Sequence, residues 1–395
     1  MLRPLALMAV MTFSGLTSFA GGPPPKLPGE YLGLPDSVKL YPFVDLAADS
    51  QFQVVVDREA GQYLGHVSSV LLEDGRTILC VYPKGHGKGL IVLKRSTDGG
   101  LTWSDRLPVP DNWSTSLETP TIHRVVDARG KKRLILWSGL YPARLSVSED
   151  DGATWSPLKP VGDWGGIVVM GGVAAVRGQP GHYLAWFNDD GRFLRADGKK
   201  TSPLTYAIYQ VESADGGLTW GEPRALINRS DLLLCEPGFV RSPDGRQIAL
   251  LLREDSHNHL SQIIFSNDEG RTWSDPQPLP VTMVGDRHML TYAPDGRLVV
   301  VFRDTNRASP TNGDWLGWVG TYDDLVQDRP GAYRVRLMQN NWGWDCGYSG
   351  LETLADGTIV AITYGHWTKD EPPYIVAVRF KLAQLDAILA AQKRP

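Results

Sequence analysis

The sequence predicts an all-β protein, a six-bladed β-propeller of four-stranded blades followed by a short C-terminal helix. Two observations carry this. The pattern Ser-x-Asp-x-Gly-x-Thr-Trp occurs four times, at Ser96–Trp103, Ser148–Trp155, Ser213–Trp220 and Ser266–Trp273. The copies start roughly 50 to 65 residues apart, the length of four short strands with their turns. Upstream of each copy runs a second repeat, a strand, a polar turn and a returning strand, and this unit occurs six times.

In chain order the six units run 68–81, 119–137, 172–187, 237–252, 289–302 and 349–364. Their turns are Asp74-Gly75, Arg129-Gly130, Pro180-Gly181, Asp244-Gly245, Asp295-Gly296 and Asp356-Gly357, all good hairpin signals. The eight-residue motif is itself a turn: Asp accepts backbone N–H bonds, Gly supplies positive φ, and Thr-Trp opens the next strand. The fifth unit carries a degenerate version, Thr321-Tyr322-Asp323-Asp324. Leu382, Leu385, Ile388 and Leu389 repeat at helical spacing, so residues 381–395 read as a helical tail packed on the outside.

At 395 residues and 42% hydrophobic composition, the chain is long enough for one large core and needs no second domain. Residues 51–380 are assigned to the propeller. Arg3, the apolar run Leu5–Phe13 and Ser18-Phe19-Ala20 fit a cleavable signal peptide over residues 1–20, which implies a secreted or periplasmic protein. Residues 21–50 follow as a leader, rich in proline at its start. The apolar run is too short to span a bilayer. A net charge of −4 without a Lys/Arg cluster argues against a nucleic-acid partner. Cys80, Cys235 and Cys346 are too few and too scattered for a disulfide framework or a zinc site. His66, His86, His288 and His366 lack close ligand spacing, so neither metal nor cofactor is expected, and a monomer is.

In a propeller, the innermost strand of every blade starts at one face and the second strand returns to it, so those ends converge on a central mouth. The Ser-x-Asp motifs lie at the opposite face. The strand ends include His66, Lys84, His86, Glu118, Glu236, Arg253, Arg287, His288, Arg303 and Tyr348, more ionisable residues than hairpin closure needs. Arg253 and Arg303 close second strands in neighbouring blades. Either they meet over the mouth and hold a carboxylate by bidentate bonds, or each pairs with the acid after it, Glu254 or Asp304. Arg307 is a further candidate. Trp164, Trp315, Trp342, Trp344 and Trp367 lie in or beside the same loops and suit stacking on sugar rings, or close the propeller.

The eight-residue motif resembles the Asp-box, or BNR, repeat of the sialidase superfamily. Gly347-Tyr348-Ser349-Gly350-Leu351 is similar to that superfamily's last-blade motif, which implies that Tyr348 is the nucleophile. Glu236, leading to Arg253, resembles the partner glutamate and a carboxylate-binding arginine. The implied chemistry is sound, because a phenol with a pKa near ~10 needs a neighbouring base. A neutral attacker also avoids repulsion at an anomeric carbon bearing a carboxylate. The other reading is that Tyr348 lines the channel and Glu236 caps a strand.

The pattern departs from the family at two positions. Where sialidases begin with Arg-Ile-Pro, this chain has Gly65-His66-Val67-Ser68, and the loop expected to carry an aspartate acid reads Lys84-Gly85-His86-Gly87-Lys88-Gly89. His86 stands near that vacated place, with a pKa suited to acid/base work, and Lys84, Lys88 or His66 could restore the lost positive charge. The resemblance implies a secreted exo-glycosidase that cleaves a terminal acidic sugar from extracellular glycans. Two alternatives stay open: a glycosidase or lyase for another uronic or deoxy sugar, and a carbohydrate-binding propeller without catalysis.

Overall fold

Each Ser-x-Asp-x-Gly-x-Thr-Trp segment folds around its aspartate. Asp215 accepts the N–H groups of Leu218 and Thr219, both at 3.0 Å, and the Thr219 hydroxyl at 2.6 Å. Ser213 Oγ accepts the Gly217 N–H. Asp98, Asp150 and Asp268 likewise accept the N–H and hydroxyl of Thr102, Thr154 and Thr272 in their own turns. The motif tryptophans pack on the preceding blade, Trp220 against Trp137 at 5.3 Å and Trp273 against Trp186 at 5.9 Å. The motif is therefore a structural clip that closes the outer strands and ties one blade to the next.

The computed structural model describes residues 41–199 and 204–392. The signal peptide and most of the leader lie outside the described residues. Six antiparallel sheets form the ring, and the innermost strands are Ser68–Leu71, Thr121–Val126, Ile167–Ala175, Leu234–Arg241, Gly285–Tyr292 and Gly350–Thr353 for blades 1 to 6. Blades 2, 3 and 4 have four sequential strands each, whereas regular pairing in blade 1 covers three.

The ring is shut by both ends of the chain. The outer strand of blade 6 is Gln53–Asp57, antiparallel to Tyr374–Phe380. Before it, Phe43–Asp45 adds a fifth strand, parallel to Tyr333–Met338, to blade 5. Part of the segment assigned to the leader thus already pairs with the propeller. Blade-to-blade packing is apolar, with Val81, Leu93, Ile122 and Leu136 forming one cluster between blades 1 and 2.

The degenerate fifth motif is a short helix, Tyr322–Val326, whose Thr321 and Asp324 form a reciprocal capping box. The terminal helix Leu382–Gln392 buries Leu382 and Leu385 against blades 5 and 6. Its Asp386 meets Arg297 at 2.8 Å. Among the described residues, no helix is long and apolar enough to cross a membrane.

Candidate active site at the central mouth

A backbone device recurs where the innermost strands begin. The pairing of blades 3, 4 and 5 slips between Ile167 and Gly172, Cys235 and Gly238, and Asp286 and Met289. At these slips, Val168, Glu236 and Arg287 take left-handed φ values of 48°, 51° and 55°, and His66 and Asp345 do so at 61° and 68° ahead of blades 1 and 6. Residues with a Cβ rarely adopt this region, and bulges of this kind re-aim side chains. Four of the five residues so placed are ionisable, and they gather on the mouth.

Tyr348, ahead of blade 6, and Glu236, on blade 4, reach past blade 5 and touch: the Tyr348 hydroxyl donates to Glu236 Oε1. Arg253 Nη1 donates to the same oxygen at 2.8 Å. Glu236 is 4% exposed, and its other oxygen, Oε2, has no partner. Burial first, and then the adjacent Glu236 charge, hold the Tyr348 hydroxyl well above the ordinary phenol range. Below the ring lies His66, with centroids 4.4 Å apart, and the Arg287 guanidinium is 5.8 Å from the ring centre.

Both nitrogens of His66 are used within the protein. Nδ1 accepts the Gly87 N–H at 3.1 Å, and Nε2 faces the Tyr364 hydroxyl at 3.4 Å. Burial holds this imidazole neutral, far below its usual pKa. It packs against Tyr348, and in that neutral form it brings no positive charge to the mouth. His86 stands against it at 4.5 Å, with 58% of its side chain exposed. His86 Nδ1 is 2.8 Å from the Tyr63 hydroxyl and 3.2 Å from Asp345. Because Tyr63 gives its proton to Asp345, at 2.8 Å, Nδ1 carries the hydrogen, which leaves Nε2 for a ligand. Burial works against the Asp345 anion, but bonds from His366 and His86 hold its carboxyl well below the usual range.

Arg253 and Arg303 do meet, but not on Glu254 or Asp304. Glu254 takes the Ser256 hydroxyl, and Asp304 takes Arg334 at 2.7 Å. Arg253 instead pairs with Glu236, with Asp255 at 2.6 Å and with Asp286 at 3.1 Å, while Arg303 pairs with the same Asp286. Glu118 lies within the electrostatic reach of His86 and Glu236, and burial raises its pKa. Lys84 turns away to Glu59 at 2.8 Å. His288 is not brought to the mouth either: it is buried, donates to the Met283 carbonyl at 2.8 Å, and is pushed down to about 4 by burial. Among the tryptophans, Trp164, Trp315 and Trp367 are core, whereas Trp342 is exposed and stacks on His366 at 5.2 Å. The described residues hold no cluster of metal-binding side chains.

A family model, the BNR repeat-like domain, matches residues 136–338, slightly more than half of the chain. The chain belongs to the BNR repeat-like family. No curated protein sequence matches it. Solved structures do, over nearly the whole ring. A protein of unknown function from Dyadobacter fermentans is 14% identical with a TM-score of 0.64, covering 83% of this chain and 97% of its own. The leech intramolecular trans-sialidase, solved with 2,7-anhydro-Neu5Ac, is 16% identical with a TM-score of 0.56, covering 82% and 69%. The NanB sialidase from Streptococcus pneumoniae is 12% identical with a TM-score of 0.56, covering 84% and 71%. At these identities the likeness shows the fold, the six-bladed propeller that BNR repeats build.

Within that BNR ring, the mouth also holds residues that sequence reading did not single out. Asp286 lies on the inner strand of blade 5, and Asp345 precedes that of blade 6. Tyr63, two residues before the Gly65-His66 strand start, was the least visible, and only its position offered a signal. A separate cleft, lined by Arg95, Thr97, Trp103, Leu107 and Ala153, lies beside the first Ser-x-Asp turn. It lacks a comparable ionisable cluster, so the chemistry is assigned to the mouth.

Proposed function

We propose that this BNR-family propeller is an exported, sialidase-like glycoside hydrolase acting on a terminal sugar of an extracellular glycan. One observation carries the reading: a buried tyrosine hydroxyl is bonded to a buried carboxylate whose second oxygen is unpartnered. An orphan buried carboxylate oxygen is costly unless a ligand or water completes it.

In the proposed reaction, Tyr348 attacks the anomeric carbon as its proton passes to Glu236. The glycosidic C–O bond breaks, and the leaving oxygen takes a proton from Nε2 of His86, whose Nδ1 is oriented by Tyr63 and Asp345. Water then attacks the tyrosyl glycoside and gives a proton to His86, the sugar leaves, and Glu236 returns its proton to the phenolate. Arg253 keeps Glu236 in place throughout.

A panel of chromogenic aryl glycosides, assayed with the wild type, Tyr348→Phe and His86→Ala, tests this. A hydrolase loses turnover in both variants while keeping its melting temperature. A binding module retains glycan affinity in both, and the wild type cleaves nothing in the panel.

A further inference from the structure

Arg253 and Arg303 form the natural anchor for a ligand carboxylate, yet a side chain of this protein lies between them. Asp286 Oδ1 forms an ion pair with Arg253 Nε at 3.1 Å and accepts from His257 Nε2 at 3.1 Å, and Oδ2 accepts from Arg303 Nη2. Asp286 is 1% exposed and sits on the inner strand of blade 5, immediately before the left-handed Arg287. Arg253 carries two more anions, Glu236 and Asp255. The third guanidinium, Arg287, is buried near Glu236 and Tyr348, and donates to the Gly171 carbonyl at 3.4 Å.

We infer that Asp286 is a built-in anion occupying the place where a ligand carboxylate would bridge Arg253 and Arg303, so that the mouth takes a neutral sugar. The sugar part rests on the glycosidase reading above; the occupied anion site does not. Arg253 and Arg303 already face Glu236, Asp255 and Asp286, so their two charges are met by three carboxylates, with His257 on Asp286, before any ligand arrives. A second carboxylate brought against Asp286 would meet like charge inside a poorly solvated site, where such pairs repel strongly. This revises the acidic-sugar expectation. The two arginines are present as the resemblance implies, but their charge is already spent on the protein.

Two measurements test the inference, neither of which needs turnover. In the wild type, N-acetylneuraminic acid is compared by calorimetry with its neutral methyl ester. The acid is expected to bind no more tightly than the ester, and binding at least about tenfold tighter overturns the inference. In Asp286→Ala, acetate is the probe. The vacated site is expected to bind it saturably and to raise the variant's melting temperature by about 2 °C or more, with no such rise in the wild type. An Asp286→Ala protein that folds and ignores acetate also overturns it, and if that variant does not fold, the acid–ester comparison decides. A panel in which no glycoside is cleaved sinks the hydrolase reading but leaves both binding results standing.

Discussion

Replacing Glu236 with glutamine keeps the shape of the side chain and removes its charge. The surrounding bonds indicate how the variant behaves. Oε1 still accepts from Tyr348 and from Arg253, and Arg253 keeps Asp255 and Asp286, so no cation is stranded. Both bonds lose the acceptor's charge, although Arg253 keeps its own, a loss of about 1 kcal/mol each, partly offset by weaker repulsion from Glu118. The melting temperature should fall by roughly 5 °C or less. Turnover should fall far more. A missing general base costs about 10²- to 10⁴-fold, or about 3 to 5.5 kcal/mol of barrier, because an amide cannot take the Tyr348 proton. Initial rates on the best aryl glycoside, alongside a thermal melt, read both. A folded variant within about threefold of wild-type rate would refute the assignment of Glu236 as the base.

Other perturbations separate the parts of the mouth. His86→Ala should lower turnover about 10²- to 10⁴-fold with little change in melting temperature, because the ring is largely exposed. Asp345→Asn removes the carboxylate that accepts the Tyr63 proton and lies 3.2 Å from His86 Nδ1, and should lower turnover at least about tenfold; an unchanged rate in a folded variant would exclude that positioning role. Glu352, buried and bonded to Ser69 between blades 6 and 1, is raised from 4.5 to about 7 by burial. The folded state therefore holds this proton where the unfolded state has lost it, and stability falls as pH rises between those values, by on the order of 3 kcal/mol. Glu352→Gln should flatten that slope and melt higher at pH 8, as differential scanning calorimetry would reveal. Asp215→Ala removes four accepted bonds from its turn and should cost about 2 to 4 kcal/mol in urea unfolding without altering the mouth.

The ring was legible because its signals are local. An Asp, a Gly and a Trp at fixed spacing specify a turn whatever lies around it, and six hairpins of similar length leave few ways to pack. The Tyr348–Glu236 contact followed from topology and resemblance together, since strand ends in a propeller converge wherever they lie in the chain. The partners of the arginines were not legible in this way. Sequence neighbours Glu254 and Asp304 were the natural choices for Arg253 and Arg303, yet consecutive residues on a strand point to opposite faces. Each acid therefore leaves the mouth that its arginine enters. His288 misled for a related reason: the bulge that turns Arg287 into the hole sends the next residue back into the core. Tyr63 belongs to no repeat, so only three-dimensional placement reveals it.

The seam between Gln53–Asp57 and Tyr374–Phe380 joins opposite ends of the polypeptide like the two sides of a zip. Until the last strand is made and docked, the toroid is a crescent, and the blade bearing Tyr348 has no fixed position relative to the blade bearing Glu236. Closing that seam is what fixes Tyr348 against Glu236. A nick or truncation that frees Gln53–Asp57 should silence the mouth even where most of the blades survive.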